Sequence, residues 1–380
     1  MRTTVAVALS VMVTVGMPAG AAPVDATEPA SESVWQPPWQ AATGPEVTRA
    51  LLLDAVRAGE RVITVGERGI VLYSDDAGDS WQQAQVPTSH TLTDVEFVTA
   101  QRGWAVGHDA IVLRTDDGGA SWQQVFAAPD WETPLLRIWF ADERRGFAVG
   151  GRGHVLRTVD GGETWTHQVV MTDDAFDAHL FDIKTDGAGT LTLAAEAGIF
   201  YRSEDGGESW QMMDSPYPGS HFGLLQLPGG DLLAYAMLGN ALRRSASPQA
   251  HPEPEPEPGL EPEPEASPQT GVSSGAEASD EVGVGSEAVV GVQGGAGDSG
   301  WRPIDTGVDK SFMTGQARAD GTVLLAGLSG AIAVSRDGGQ SFSNRSRGDR
   351  VDIAAMVDLG DDLWLLFGPG GVRKVSMDLL

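Results

Sequence analysis

The stretch Thr158-Val159-Asp160-Gly161-Gly162-Glu163-Thr164-Trp165 decides the fold, because it recurs along the chain. The pattern Ser/Thr-x-Asp-x-Gly-x-x-Trp/Phe stands at 74–81, 115–122, 158–165, 203–210 and 335–342, and the first four copies begin 41, 43 and 45 residues apart. Its fixed positions are Asp76, Gly78 and Trp81; Asp117, Gly119 and Trp122; Asp160, Gly162 and Trp165; Asp205, Gly207 and Trp210; and Asp337, Gly339 and Phe342. The carboxylate can accept hydrogen bonds from N–H groups of its own tight turn, the glycine admits φ > 0, and the aromatic opens the next strand as an apolar anchor. The octet therefore reads as a structural hairpin lock. Its recurrence in unit after unit suits a scaffold better than a calcium-binding or catalytic carboxylate.

The units also begin alike. Asp94-Val95-Glu96-Phe97 precedes Gly103-Trp104-Ala105-Val106-Gly107, and Arg137-Ile138-Trp139-Phe140 precedes Gly146-Phe147-Ala148-Val149-Gly150. A third apolar run follows, Ile111-Val112-Leu113 in one unit and His154-Val155-Leu156 in the next. These are short strand signals ended by glycine, with no helical periodicity. A period of about 40 to 50 residues with four strands per unit is that of a propeller blade. Extending the register makes Ser245 a degenerate fifth copy and Ser376 a seventh that stops before its fourth strand. The expectation is an all-β, seven-bladed β-propeller. Val34-Trp35-Gln36 or Trp39-Gln40 is expected to complete blade 7 and close the ring, which removes open sheet edges.

Ser245 and Ser335 are 90 residues apart, about twice the unit, because residues 246–300 interrupt blade 5 and Trp301 resumes its fourth strand. The insertion holds 11 acidic residues and no Lys or Arg. Its first half, with Glu253-Pro254-Glu255-Pro256-Glu257-Pro258, predicts extended polyproline-like chain, and its Gly/Ser/Ala/Val-rich second half flexible coil. It reads as a disordered surface loop, with an acidic partner-engaging arm as the alternative. At the N-terminus, Arg2, the apolar run Val5 to Val15 and Ala19-Gly20-Ala21-Ala22 form the three parts of a secretory signal peptide. The expected organisation is thus signal peptide 1–22, leader 23–32, blades 1–5 over 33–245, insertion 246–300, and the end of blade 5 with blades 6 and 7 over 301–380.

A formal charge of -28 with 41% hydrophobic residues describes an acidic globular chain that repels nucleic-acid backbones. The absence of cysteine excludes thiol nucleophiles, thiolate metal sites and disulfides. The seven histidines show no metal spacing, so neither a metal nor a cofactor is expected.

The octet resembles the Asp box of BNR repeats. Combined with Gly103–Gly107 and Gly146–Gly150, it resembles the Ycf48/Hcf136 family, photosystem II assembly factors with relatives in non-photosynthetic bacteria. The resemblance implies an exported, periplasmic or lumenal, non-catalytic scaffold. It implies a protein partner, an integral membrane or envelope complex, with no nucleic acid and no direct membrane insertion after signal cleavage. The family's arginine-rich patch maps onto Arg68 and Arg152, but Ala197, Ser329 and Gly370 occupy the matching turns in other blades, so the patch is depleted.

The hairpins joining second to third strands and the loops joining blades share one face of a propeller, where aromatic and cationic residues on loops are the natural partner contacts. Arg68, Trp131, Arg152, Phe176, Tyr217, His221, Phe222 and Phe312 are the candidates, and no residue is nominated as catalytic. The alternative is a glycan-binding or sialidase-like Asp-box propeller, with Tyr217 beside Asp173 or Asp177 as its nucleophile pair. A second ladder, Arg114, Arg157, Arg202 and Arg244, is expected to pack over tryptophans or pair with acidic neighbours.

Overall fold

The computed structural model describes residues 49–171, 177–246, 288–291 and 299–376. Seven sheets follow one another along the chain, at 52–83, 92–126, 135–171, 180–214, 221–304, 312–344 and 355–376. The first six are built on antiparallel meanders of four strands, and the third carries a fifth strand, Ala288–Gly291, paired in parallel to its outer edge. In blade 5, Arg302–Ile304 pairs with Ala241–Arg244, so the insertion enters and leaves at the hairpin where the other blades carry the octet. Blade 7 shows three strands among the described residues, Ala355–Gly360, Leu363–Gly368 and Gly371–Ser376. The segments expected to supply its fourth, Val34-Trp35-Gln36 or Trp39-Gln40, lie outside the described residues, as do the signal peptide, the leader and most of the insertion.

The second strand of most blades is buried along its whole length, as in Gly103–Gly107, Gly146–Gly150 and Leu191–Ala195. A sheet covered on both faces by neighbouring blades needs continuous apolar runs rather than alternation. Accordingly, the core is divided into seven clusters, one in each interface between adjacent blades. The seventh joins the first and last blades: Leu52, Val62 and Leu72 of blade 1 pack on Ala355, Leu365 and Phe367 of blade 7. Lys374 Nζ reaches Asp79 at 2.7 Å across the same seam. The ring closes through this packing.

The octet behaves as its chemistry requires. In blade 3, Asp160 Oδ1 accepts from the Thr158 hydroxyl at 2.8 Å and from the Thr164 N–H at 3.0 Å, while Oδ2 takes the Thr164 hydroxyl at 2.6 Å. Asp76, Asp117, Asp205 and Asp337 repeat this pattern. Bonds from the Ser80 and Thr164 hydroxyls and N–H groups hold Asp76 and Asp160 down at about 2. The aromatic of each octet enters the interface with the preceding blade: Trp81 meets Phe367 edge-on at 6.0 Å and Trp210 meets Phe147 at 6.5 Å. Gly207, at φ 86, lies so close to Phe147 that an added Cβ would stand 2.5 Å from its ring. Trp301 does the same work in blade 5, where the octet is lost; it is 1% exposed and stacks on Phe200 of blade 4 at 4.3 Å.

The innermost strands carry an ionic zipper. Asp54, Asp94 and Asp182 sit at β-bulges of their first strands. Each accepts an N–H from the first strand of the next blade: Val95 at 3.0 Å, Ile138 at 2.7 Å and Leu224 at 2.8 Å. Blade 3 carries Arg137 at this position, with Nη1 2.6 Å from Asp94 and Nε 3.1 Å from Asp182. Burial, reinforced by the charge of Asp94, pushes the Asp54 carboxyl well up, and burial pushes Glu96 up to about 7.

Candidate functional site

One face of the ring is built by six hairpins, each stitched to the loop that enters its own blade. The N–H groups of Glu67, His108, Gly151, Glu196, Met237 and Leu328 donate to the carbonyls of Leu51, Thr91, Pro134, His179, Ser220 and Ser311. At the tip of each hairpin a non-glycine residue is held left-handed: Arg68, Asp109, Arg152, Ala197, Leu238 and Ser329, with φ between 54 and 59. Such a residue costs about 1–2 kcal/mol relative to ordinary backbone. The tips are therefore rigid, outward-pointing positions whose side chains vary from blade to blade.

The sequence-nominated residues distribute unevenly over this face. Arg68 and Arg152 are exposed tips, separated by the blade that carries Asp109. Trp131 is half-buried, with its face stacked on His154 at 4.3 Å and on His167 at 4.1 Å. Phe222 is half-buried edge-on to Phe181 at 5.2 Å, and Tyr217 is half-buried against His221 at 6.0 Å. Phe176 lies outside the described residues. His221 and Phe312 are both 0% exposed and present no surface. Both occupy the first position of an innermost strand, held by Leu52, Leu92, Leu135 and Leu180 in blades 1–4. His221 stacks on Phe200 at 4.2 Å, and burial lowers its pKa to about 4, so it is a neutral core ring.

Three of the four ladder arginines pair with acids: Arg114 with Asp116 and Glu163, Arg157 with Glu208, and Arg202 with Glu204. The first two of these arginines also bridge to the next blade. Burial shifts Tyr201, Tyr217 and Tyr235 upward, the direction opposite to an activated phenolate nucleophile.

The sequence reading passed over the most exposed apolar group. Five large hydrophobic residues are exposed among the described residues, and three of them, Met237 at 36%, Leu238 at 61% and Leu328 at 40%, lie on two adjacent hairpins of this face. Ser311 ties the two together: its hydroxyl accepts from the Leu238 N–H at 3.2 Å and its carbonyl from the Leu328 N–H at 2.9 Å. The entering loop of blade 7 borders them. Arg347 donates its N–H to the Gly330 carbonyl at 2.8 Å, and a Cβ on Gly330 would meet Arg347 and Arg350 at 3.2 and 3.3 Å. Arg345, Arg347, Arg350 and Arg373 stand on this border with two acids, Asp349, which pairs to Arg347 and Arg373, and Asp352, whose Oδ1 accepts from the Ser329 N–H at 2.7 Å, so arginines outnumber carboxylates here in a chain of charge -28. The signal was present in Asn344-Arg345-Ser346-Arg347-Gly348-Asp349-Arg350, three arginines in six residues.

A closed ring of seven blades, five of them with an Asp box, defines a β-propeller. The family model described as photosynthesis system II assembly factor YCF48 matches residues 74–133 and 127–231. The fold is similar to that of YCF48 bound to D1 peptide, at 18% identity, 87% of this chain, 94% of that chain and a TM-score of 0.59. It is also similar to YCF48 from Cyanidioschyzon merolae, at 16% identity, 87% and 97% coverage and a TM-score of 0.58. Virginiamycin B lyase from Staphylococcus aureus shares the fold at 9% identity, 87% and 96% coverage and a TM-score of 0.63. No curated protein matches the chain in sequence. The chain is a seven-bladed β-propeller with BNR-type repeats, and over residues 74–231 it is similar to the Ycf48 family.

Proposed function

We propose that this protein is an exported docking scaffold that binds an extended segment of a membrane-protein complex on the face formed by Met237, Leu238 and Leu328 and bordered by Arg347 and Arg350. The observation that carries the reading is the pair of exposed leucines fixed on either side of Ser311. Apolar side chains in rigid left-handed turns avoid the ordering cost of binding, and an arginine border supplies charge complementarity to an acidic segment. That a YCF48 has been solved with a D1 peptide bound supports a peptide-binding role for the fold. In a non-photosynthetic source the client is another envelope or transporter complex. The sugar-stacking alternative is less well supported, because the nominated aromatics are engaged in internal stacks.

The test is co-purification of membrane proteins with the tagged mature chain, comparing Leu238→Asn, Arg350→Glu and Val159→Asn. Asparagine tolerates the left-handed turn, so Leu238→Asn removes apolar surface without straining the fold. Loss of the same membrane protein with the first two variants, and retention with Val159→Asn, supports the reading. Equal recovery with all three, or saccharide turnover lost on Tyr217→Phe, contradicts it. Export predicts that the secreted chain lacks residues 1–22, read by intact mass.

A further inference from the structure

One sheet has a strand too many. The outer strand of blade 3, Thr166–Met171, is paired in parallel by Ala288–Gly291 from the insertion, with Gln168 opposite Ala288, Val169 opposite Val289, Val170 opposite Val290 and Met171 opposite Gly291. Blade 5 lends this segment to a sheet two blades away, where coil was expected.

The edge it covers differs from its counterparts. At six residues, Thr166–Met171 is the longest of the described outer strands; the others are Gln82–Gln83, Gln123–Phe126, Gln211–Asp214, Arg302–Ile304 and Ser343–Asn344. It has neither proline nor a Lys, Arg, Asp or Glu; blade 5 has Arg302 and Pro303 and blade 4 ends on Asp214, while the outer strands of blades 1, 2 and 6 are uncharged too but only two to four residues long. A long edge without charge, proline or bulge is one that another strand can pair. The covering segment is uncharged and β-branched, Ala288-Val289-Val290-Gly291, set in a stretch otherwise rich in Gly, Ser and Glu. Eight residues after Gly291 the chain is back at Ser299. A tether that short gives an intramolecular strand an effective concentration on the order of millimolar.

We infer that the outer edge of blade 3 is a strand-accepting site, closed in cis by Ala288–Gly291, which an uncharged extended segment of a partner protein enters by displacing that strand. Main-chain hydrogen bonds supply the affinity, and the residues that fit in cis define what fits in trans. The site is separate from the leucine pair on blades 5 and 6, so either can fail without the other.

The test uses the mature chain, a variant lacking residues 286–293, and a Val169→Cys/Val289→Cys variant, the only thiols in a cysteine-free protein. Cross-linking of the cysteine pair under mild oxidant is expected from the observed register. In hydrogen exchange, the deletion should speed the amides of 166–171 at least tenfold and leave Ile199–Ser203 of blade 4 unchanged. A labelled peptide of sequence 288–293 should bind the deletion variant at least tenfold more tightly than the cross-linked chain, and the same peptide with prolines for Val289 and Val290 should not bind. Absence of the cross-link, unchanged exchange at 166–171, or equal peptide binding to open and cross-linked forms overturns the inference. Unchanged tryptophan near-UV circular dichroism shows that the deletion leaves the ring folded.

Discussion

Gly206 and Gly207 are neighbours in the blade 4 octet, both left-handed at φ 73 and 86, yet their surroundings are opposite. A Cβ on Gly206 meets nothing within 4 Å, whereas one on Gly207 stands 2.5 and 2.7 Å from the ring atoms of Phe147 in the preceding blade. Gly206→Ala should therefore cost only the backbone term, about 1–2 kcal/mol. Gly207→Ala adds overpacking of about 1–3 kcal/mol, for a total of about 2–5 kcal/mol. The difference isolates the octet's action as a wedge between blades from its action as a turn. Urea unfolding measures it as a shift in midpoint at constant slope. Gly339 provides a graded control, because its nearest neighbour, Leu227, stands at 3.3 Å and can give way; its excess over Gly338 should be smaller. Equal midpoints for the Gly206 and Gly207 variants would show that the turn folds on its own and does not lock one blade to the next.

Acid should unfold the ring through its octets. Asp76 and Asp160 titrate at about 2 in the fold and near 3.9 in the unfolded chain, so their contribution is present above about pH 4 and is lost as pH falls toward 2. Glu96 acts in reverse: raised to about 7, it binds a proton in the fold that the unfolded chain releases near 4.3, so stability falls as pH rises between those values. Melting temperatures at pH 5 and 7 should converge in Glu96→Gln; an undiminished decline refutes the assignment. Arg137→Met leaves Asp94 and Asp182, 3% and 1% exposed at their side chains, without their shared cation and should cost about 3–5 kcal/mol in the same urea assay. Trp301→Ala removes the aromatic that closes blade 5 after the insertion and should cost about 3–5 kcal/mol, and a loss under 1 kcal/mol contradicts its placement against Phe200.

The blades were legible because each octet makes local hydrogen bonds that need particular residue types at fixed spacing. Trp301 could be placed because the aromatic survives where the Asp and Gly do not. The loop-bearing face is harder to read, because residue type in a loop does not give register. His221 and Phe312 looked like loop aromatics, although each stands in the column of Leu52, Leu92, Leu135 and Leu180, which faces a blade interface. Leu238 was hidden the opposite way, since Leu232-Leu233-Ala234-Tyr235-Ala236-Met237-Leu238 reads as one apolar run. The chain turns after Ala236, and that turn puts the last two outside. The zipper of Asp54, Asp94 and Asp182 was missed because its partners are backbone N–H groups about 40 residues away, which have no sequence signature.

Site-specific photo-crosslinking in envelope membranes tests the docking reading most directly, with the probe placed at 238, 328 or 159. Val159 is 52% exposed in an octet turn on the opposite face and serves as the internal comparison. The account predicts that 238 and 328 capture one and the same membrane protein through an extramembrane segment, while 159 does not. Capture from 159 alone, or indiscriminately from all three positions, contradicts it.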